Sequence, residues 1–158
     1  MRTVTLTVNG EEVTATVEPR TSLADFLREE RRLTGTHLGC EHGVCGACTI
    51  NLDGVPSRSC IAYAATLDGA DIRTIEGFDV DNVMEDLRQA FTENHGLQCG
   101  YCTPGILMSV TDFLDRYPEP SEEEIKDMLS GHICRCTGYV GMVRAVQDVV
   151  QQRNQGIS

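Results

Sequence analysis

The sequence predicts an α+β chain in two parts: a small β-grasp-type domain over residues 1–78, then an all-α four-helix domain over 82–158. Three observations carry this. Apolar residues alternate with period two before residue 75 and recur at helical spacing after residue 82. Asn-Gly and Asp-Gly pairs punctuate the alternating part, as hairpin turns do. The eight cysteines divide four and four between the two parts.

Val4, Leu6 and Val8 share one face of a first strand, and Val13, Ala15 and Val17 share one face of a second. Asn9-Gly10 between them signals a type I′ hairpin, and Pro19 ends the pair. Thr21 or Ser22 caps a short helix that buries Leu23, Phe26 and Leu27 and exposes Arg28, Glu29 and Glu30. A cysteine loop comes next. Residues 49–52 and 55–58 read as strands joined by Asp53-Gly54, and Ile72–Ile75 closes the half. Residues 77–81 read as a linker.

Asp81 or Asn82 caps the next helix, with Val83, Leu87, Ala90 and Phe91 on one side and Gly96 as its stop. Thr103-Pro104 opens another, with Thr103 as N-cap and Pro104 in the first position. Its apolar stripe runs from Ile106 and Leu107 through Val110, Phe113 and Leu114 to Tyr117, before Pro118. Ser121 and Glu124 form a capping box for a third helix carrying Ile125, Met128 and Leu129 and stopped by Gly131. Thr137 caps the fourth, with Tyr139, Met142, Val143, Val146, Val149 and Val150 inward. Residues 151–158 are polar and expected to fray.

The net charge is −11, from 24 acidic and 13 basic residues, with no basic patch or run, which argues against a nucleic-acid partner. The N-terminal stretch lacks the apolar core of a signal peptide, and no apolar run is long enough to cross a membrane. A cytoplasmic setting is expected. Thiols stay reduced there, and clustered cysteines more often bind metal than form disulfides.

Cys40, Cys45, Cys48 and Cys60 read C-x4-C-x2-C-x11-C. This is plant-type ferredoxin spacing, which holds a 2Fe–2S cluster. Three thiolates within nine residues require the backbone to wrap the centre. Gly39, Gly43 and Gly46 are free to adopt positive φ and turn N–H groups toward sulfur. Cys99, Cys102, Cys134 and Cys136 form the second set, C-x2-C followed at a distance by C-x-C. By spacing alone this set suits an iron–sulfur cluster or zinc. Cys102-Thr103 and Cys136-Thr137 echo each other, each placing a cysteine before an expected helix start. Two helix N-termini would then face one negatively charged centre. His37, His42, His95 and His132 lie near the two sets; with four thiols per site they read as loop and cap residues.

Together, GCEHGVCGACTINLDG…SC, QCGYCTPGILM and ICRCTGY resemble the small iron–sulfur subunit of the molybdenum hydroxylases, the xanthine dehydrogenase, aldehyde oxidoreductase and carbon monoxide dehydrogenase family. The resemblance runs from the first hairpin to about residue 150. It implies a ferredoxin-like 2Fe–2S domain followed by a helical 2Fe–2S-binding domain, so that both cysteine sets ligate 2Fe–2S clusters. It implies a large partner subunit with a molybdenum–pterin cofactor and a medium subunit with FAD, assembled as a dimer of heterotrimers. Electrons would pass from the molybdenum–pterin site through the C-terminal cluster, then the N-terminal one, toward FAD. It places Gln98 and Cys136 near the pterin of the partner. Family members commonly carry Asn where this chain has His132, and a titratable ring there would make the cluster potential depend on pH. No catalytic residue for substrate oxidation is expected in this chain. The competing readings are a free-standing two-cluster ferredoxin and a zinc-stabilised binding module.

Overall fold

The computed structural model describes residues 1–79 and 81–156. Strands β1 (Arg2–Val8) and β2 (Glu11–Val17) form the expected hairpin, with Arg2 opposite Val17 and Val8 opposite Glu11. Both turn residues are left-handed, Asn9 at φ 51° and Gly10 at φ 83°, as a type I′ turn demands. β3 (Thr49–Leu52) and β4 (Val55–Arg58) make a second hairpin on Asp53-Gly54. β5 (Asp71–Arg73) runs parallel to β1 and antiparallel to β3. The sheet order is β2-β1-β5-β3-β4.

The short helix α1 (Leu23–Asp25) is capped by Ser22 and widens into a π turn over Phe26–Glu30. Leu23, Phe26 and Leu27 are fully buried against the sheet beside Val4, Leu6, Ile50 and Ile72. Arg28 is half-buried, contrary to expectation. Its guanidinium donates to the Thr34 and Thr36 carbonyls at 3.0 and 2.7 Å and ties down the chain entering the cysteine loop. β5 is also shorter than expected. The Asn9 side chain takes the Thr74 N–H at 2.8 Å and donates to its hydroxyl at 3.0 Å, drawing Thr74 off the ladder.

Ile75–Phe78 forms a 3-10 turn, and Phe78 is buried in the helical core with the Arg73 guanidinium 3.5 Å above its ring. The expected linker at 77–81 is therefore packed where it is described; Val80 lies outside the described residues. Four helices complete the chain: α2 (Asn82–Glu93), α3 (Thr103–Arg116), α4 (Glu122–Ser130) and α5 (Val140–Asn154). Asp81 caps α2, and Ser121 with Glu124 closes the expected capping box on α4. Their inner faces meet in one core around Met84, Leu87, Phe91, Ile106, Ile125 and Met142.

Four local expectations are corrected. The left-handed residue closing α2 is His95 (φ 52°), and Gly96 supplies the N–H that bonds the Phe91 carbonyl at 2.7 Å. On α3, Cys102 rather than Thr103 is the N-cap, with no side-chain cap bond. α5 starts at Val140 behind a left-handed Tyr139 (φ 68°), so Thr137 does not cap it. The tail is helical to Asn154; Ile157 and Ser158 lie outside the described residues.

Candidate metal centres

In the loop site, Glu41, Gly43 and Gly46 take left-handed backbone (φ 57°, 83° and 82°) and wind the chain around its cysteines. Gly39 does not, contrary to expectation. A Cβ there would sit 3.0 Å from the Cys45 sulfur, so close approach requires the glycine. Cys40 Sγ accepts N–H bonds from Val44 and Cys45, both at 3.3 Å. Backbone donors, Cys45 first and then His42, bring the Cys40 thiol down to about 6. Cys60 sits on the turn after β4. Burial, then a hydrogen bond with Cys48, pushes its thiol up to about 11.

The helical site is built differently. Cys99 and Cys102 flank a turn at the start of α3, and Cys134 and Cys136 come from the irregular segment before α5. The Cys136 and Cys99 sulfurs lie 3.5 Å apart. Burial, then Cys134, pushes the Cys102 thiol up to about 12. Burial also opposes ionisation of Cys134, but the Thr137 hydroxyl 3.2 Å away and backbone N–H groups outweigh it and lower that thiol. One helix N-terminus, that of α3, abuts this site. The second expected one lies four residues past Cys136, because α5 begins at Val140 rather than directly after Thr137.

In both sites the thiols meet in pairs: Cys40 with Cys45, Cys48 with Cys60, Cys99 with Cys136, and Cys102 with Cys134. Among the described residues, no group of three or more His, Cys, Asp or Glu side chains converges as a single metal ion requires. A 2Fe–2S cluster needs two ligands on each of two irons, which matches paired thiols better than a tetrahedral zinc does. Thr103, beside Cys102, carries a buried hydroxyl with no protein partner, a donor suited to a sulfur acceptor. The donor sets therefore fit two such clusters.

The two sites touch. The Ile133 N–H, next to Cys134, donates to the Cys45 carbonyl at 2.9 Å. A Cβ on Gly105, at the start of α3, would collide with the Gly46 carbonyl. Tyr101 stacks on His37 with centroids 4.7 Å apart and donates to the Leu38 carbonyl at 2.5 Å. His132 is buried over Gly46, with Nε2 and Ser109 Oγ at 2.8 Å. Burial, and then the Arg58 charge, pushes its pKa down to about 4.

Gln98 and Cys136 are both exposed and joined, the Gln98 amide donating to the Cys136 carbonyl at 3.0 Å. Sequence reasoning missed Tyr139 and Arg58. The Tyr139 hydroxyl accepts the Cys134 N–H at 2.8 Å and donates to the His132 carbonyl at 2.9 Å, fixing the ligand-bearing segment. Helical periodicity had placed that ring in the core, and nothing in the local sequence marked its left-handed backbone.

Residues 6–75 match a family described as a 2Fe-2S iron-sulfur cluster binding domain, and residues 74–147 one described as a 2Fe-2S binding domain. The caffeine dehydrogenase subunit gamma of Pseudomonas sp. (strain CBB1) is 53% identical over 149 residues, covering 92% of this chain and 89% of that protein. The nicotine 6-hydroxylase small subunit of Paenarthrobacter nicotinovorans is 52% identical over 145 residues, covering 92% and 87%. A chain of quinoline 2-oxidoreductase from Pseudomonas putida 86 superposes with TM-score 0.89 at 42% identity, covering 99% of this chain and 98% of that one. The aldehyde oxidoreductase of Desulfovibrio desulfuricans contains the same fold in 18% of its length, with TM-score 0.89 and 37% identity. The chain belongs to the two-cluster iron–sulfur small subunits of the molybdenum hydroxylases.

Proposed function

We propose that this chain is the electron-transfer subunit of a heteromeric molybdenum-containing hydroxylase or dehydrogenase. Its ferredoxin-like domain spans 1–78 and its helical domain 82–158. Cys40, Cys45, Cys48 and Cys60 hold one 2Fe–2S cluster; Cys99, Cys102, Cys134 and Cys136 hold the other. The clusters supply one-electron carriage, from a molybdenum–pterin on a large subunit through the helical site and then the loop site to FAD on a medium subunit. The chain does not oxidise substrate itself. Gln98 and Cys136 present a joined, exposed edge toward the pterin-bearing partner. The working unit is a dimer of heterotrimers in the cytoplasm, a setting that suits eight cysteines free of disulfides.

The observation that carries this reading is the direct hydrogen bond between the sites, from Ile133 beside one ligand to the carbonyl of Cys45, itself a ligand of the other. It joins two thiol sets that a merely structural protein has no need to couple. A surface feature favours a subunit over a free carrier. Of the nine exposed large apolar residues among those described, Val44, Ile61 and Tyr63 border the loop site, and Tyr101, Ile133 and Val140 border the helical site. Apolar rims around electron-transfer sites suit permanent partners.

Electron paramagnetic resonance of the reduced, purified complex, with iron analysis and identification of the copurifying chains, tests the proposal. Two distinguishable 2Fe–2S signals, four irons per chain and two larger partners are expected. A single signal with two irons per chain, or a colourless protein with stoichiometric zinc, overturns it.

A further inference from the structure

The contact between the two cysteine sites is closed by a side chain that binds no metal. Arg58 ends β4 in the sheet domain, yet its guanidinium reaches the other domain. Nη2 donates to the Gly131 carbonyl at 2.5 Å, at the C-terminal end of α4, where a cation also offsets the helix dipole. Nη1 donates to Thr49 Oγ1, and that hydroxyl donates in turn to the Gly46 carbonyl at 2.7 Å. From Gly131 the chain runs through His132, whose ring lies on Gly46, to Ile133, whose N–H returns to Cys45. The bonds form a closed ring: Gly46 to Thr49 to Arg58 to Gly131, along the backbone to Ile133, and back to Cys45.

We propose that Arg58 is a positioning residue for electron transfer, the fork that holds the Cys134 segment against the Cys45–Gly46 backbone and so sets the spacing of the two sites. A planar fork carries donors on separate nitrogens and so spans both acceptors at once, whereas the three donors of an ammonium group all sit on one nitrogen. The ring's other members are backbone groups, Thr49, and the His132 ring wedged on a glycine. Arg58 is the one long side chain in that ring that crosses between the domains to close it. The assignment rests on the two-cluster reading above, because the spacing matters to function only when both sites carry a cluster.

The test uses the cluster-loaded chain in its complex with Arg58→Met, which keeps the apolar stem and removes the fork, and Thr49→Val, which removes the other end of the bridge at nearly constant shape. Amide hydrogen exchange of Ile133 is the primary readout. Loss of a charge-assisted bond should lower its protection by about ten- to a hundredfold, while amides deep in β1 and α2 keep theirs. The second readout is the magnetic splitting between the two reduced clusters, which should weaken in both variants with four irons per chain retained. Arg58→Lys should restore little of either. Unchanged Ile133 protection and unchanged splitting in Arg58→Met, or in Thr49→Val should Arg58→Met not fold, overturn the proposal. A wild-type chain without iron would refute the two-cluster reading instead, and the exchange measurement would still decide whether Arg58 closes the ring.

Discussion

The two cysteine sites solve one problem in opposite ways. The loop site is a local wrap: three of its four thiols fall within nine residues, and left-handed residues aim N–H groups at an outer sulfur. Its Cys40 is only half-buried and ionises easily, at about 6. The helical site is assembled from two segments more than thirty residues apart, and its Cys102 is held at about 12 by burial. The loop site needs its loop and the β3–β4 hairpin that brings Cys60 in, whereas the helical site forms only when α3 and the segment before α5 have packed. At Cys60 and at Cys102, where burial raises the thiol, the metal itself must displace the proton.

The sharpest way to break this contrast is to remove a ligand from each side. Cys102→Ala should abolish the helical signal entirely and leave the loop signal in place. Cys48→Ala should do the reverse, as read by paramagnetic resonance and iron content. Loss of both signals from either change would show that the sites load as one unit.

Thiol reactivity comes next. In the apo chain at pH 7, Cys40 should react with iodoacetamide at least about a hundredfold faster than Cys102, after allowing for the weaker nucleophilicity of a low-pKa thiolate. Mass spectrometry of timed samples checks this, and equal rates would erase the distinction between an open and a buried site.

His132 lies on the seam between the two, and its pH behaviour has a definite sign. Its folded pKa of about 4 lies below the ordinary 6.5, so the unfolded chain binds more protons between these values. Stability should therefore fall as pH drops from 6.5 to 4, by up to about 3 kcal/mol. Denaturant titrations across that window should show the slope, and His132→Asn should flatten it.

The smallest expected effect compares two glycines. Gly105→Ala sets a methyl against the Gly46 carbonyl and should cost about 2 kcal/mol, beyond the gain in helix propensity. Gly54→Ala meets open space and bears only its left-handed backbone, φ 81°, for about 1 kcal/mol. Melting temperatures should rank the two variants in that order.

Much of the fold was legible because its signals are local. Asn9-Gly10 and Asp53-Gly54 specify two hairpins, Ser22 and Ser121 each cap the helix that begins beside them, and apolar periodicity marks both cores. The misreadings have different causes. Thr103 has the side chain of an N-cap but is already the first helical residue of α3, behind Cys102. The Thr137 hydroxyl is taken by the Cys134 sulfur and the Tyr139 N–H, and α5 starts only at Val140. Thr74 has the side chain of a strand residue, but Asn9, distant in the chain, takes it off the sheet.

By itself the sequence determined the two-part α+β plan, the eight cysteines in two sets and the plant-type spacing of the first, since these rest on residue identity and short-range periodicity. Only the tertiary structure decided that the thiols meet in pairs, that Ile133 bonds to Cys45, and that Arg58 and His132 sit between the sites. Those contacts join residues that sequence separation leaves unrelated, and they exist only after both cores have packed and brought the two domains face to face.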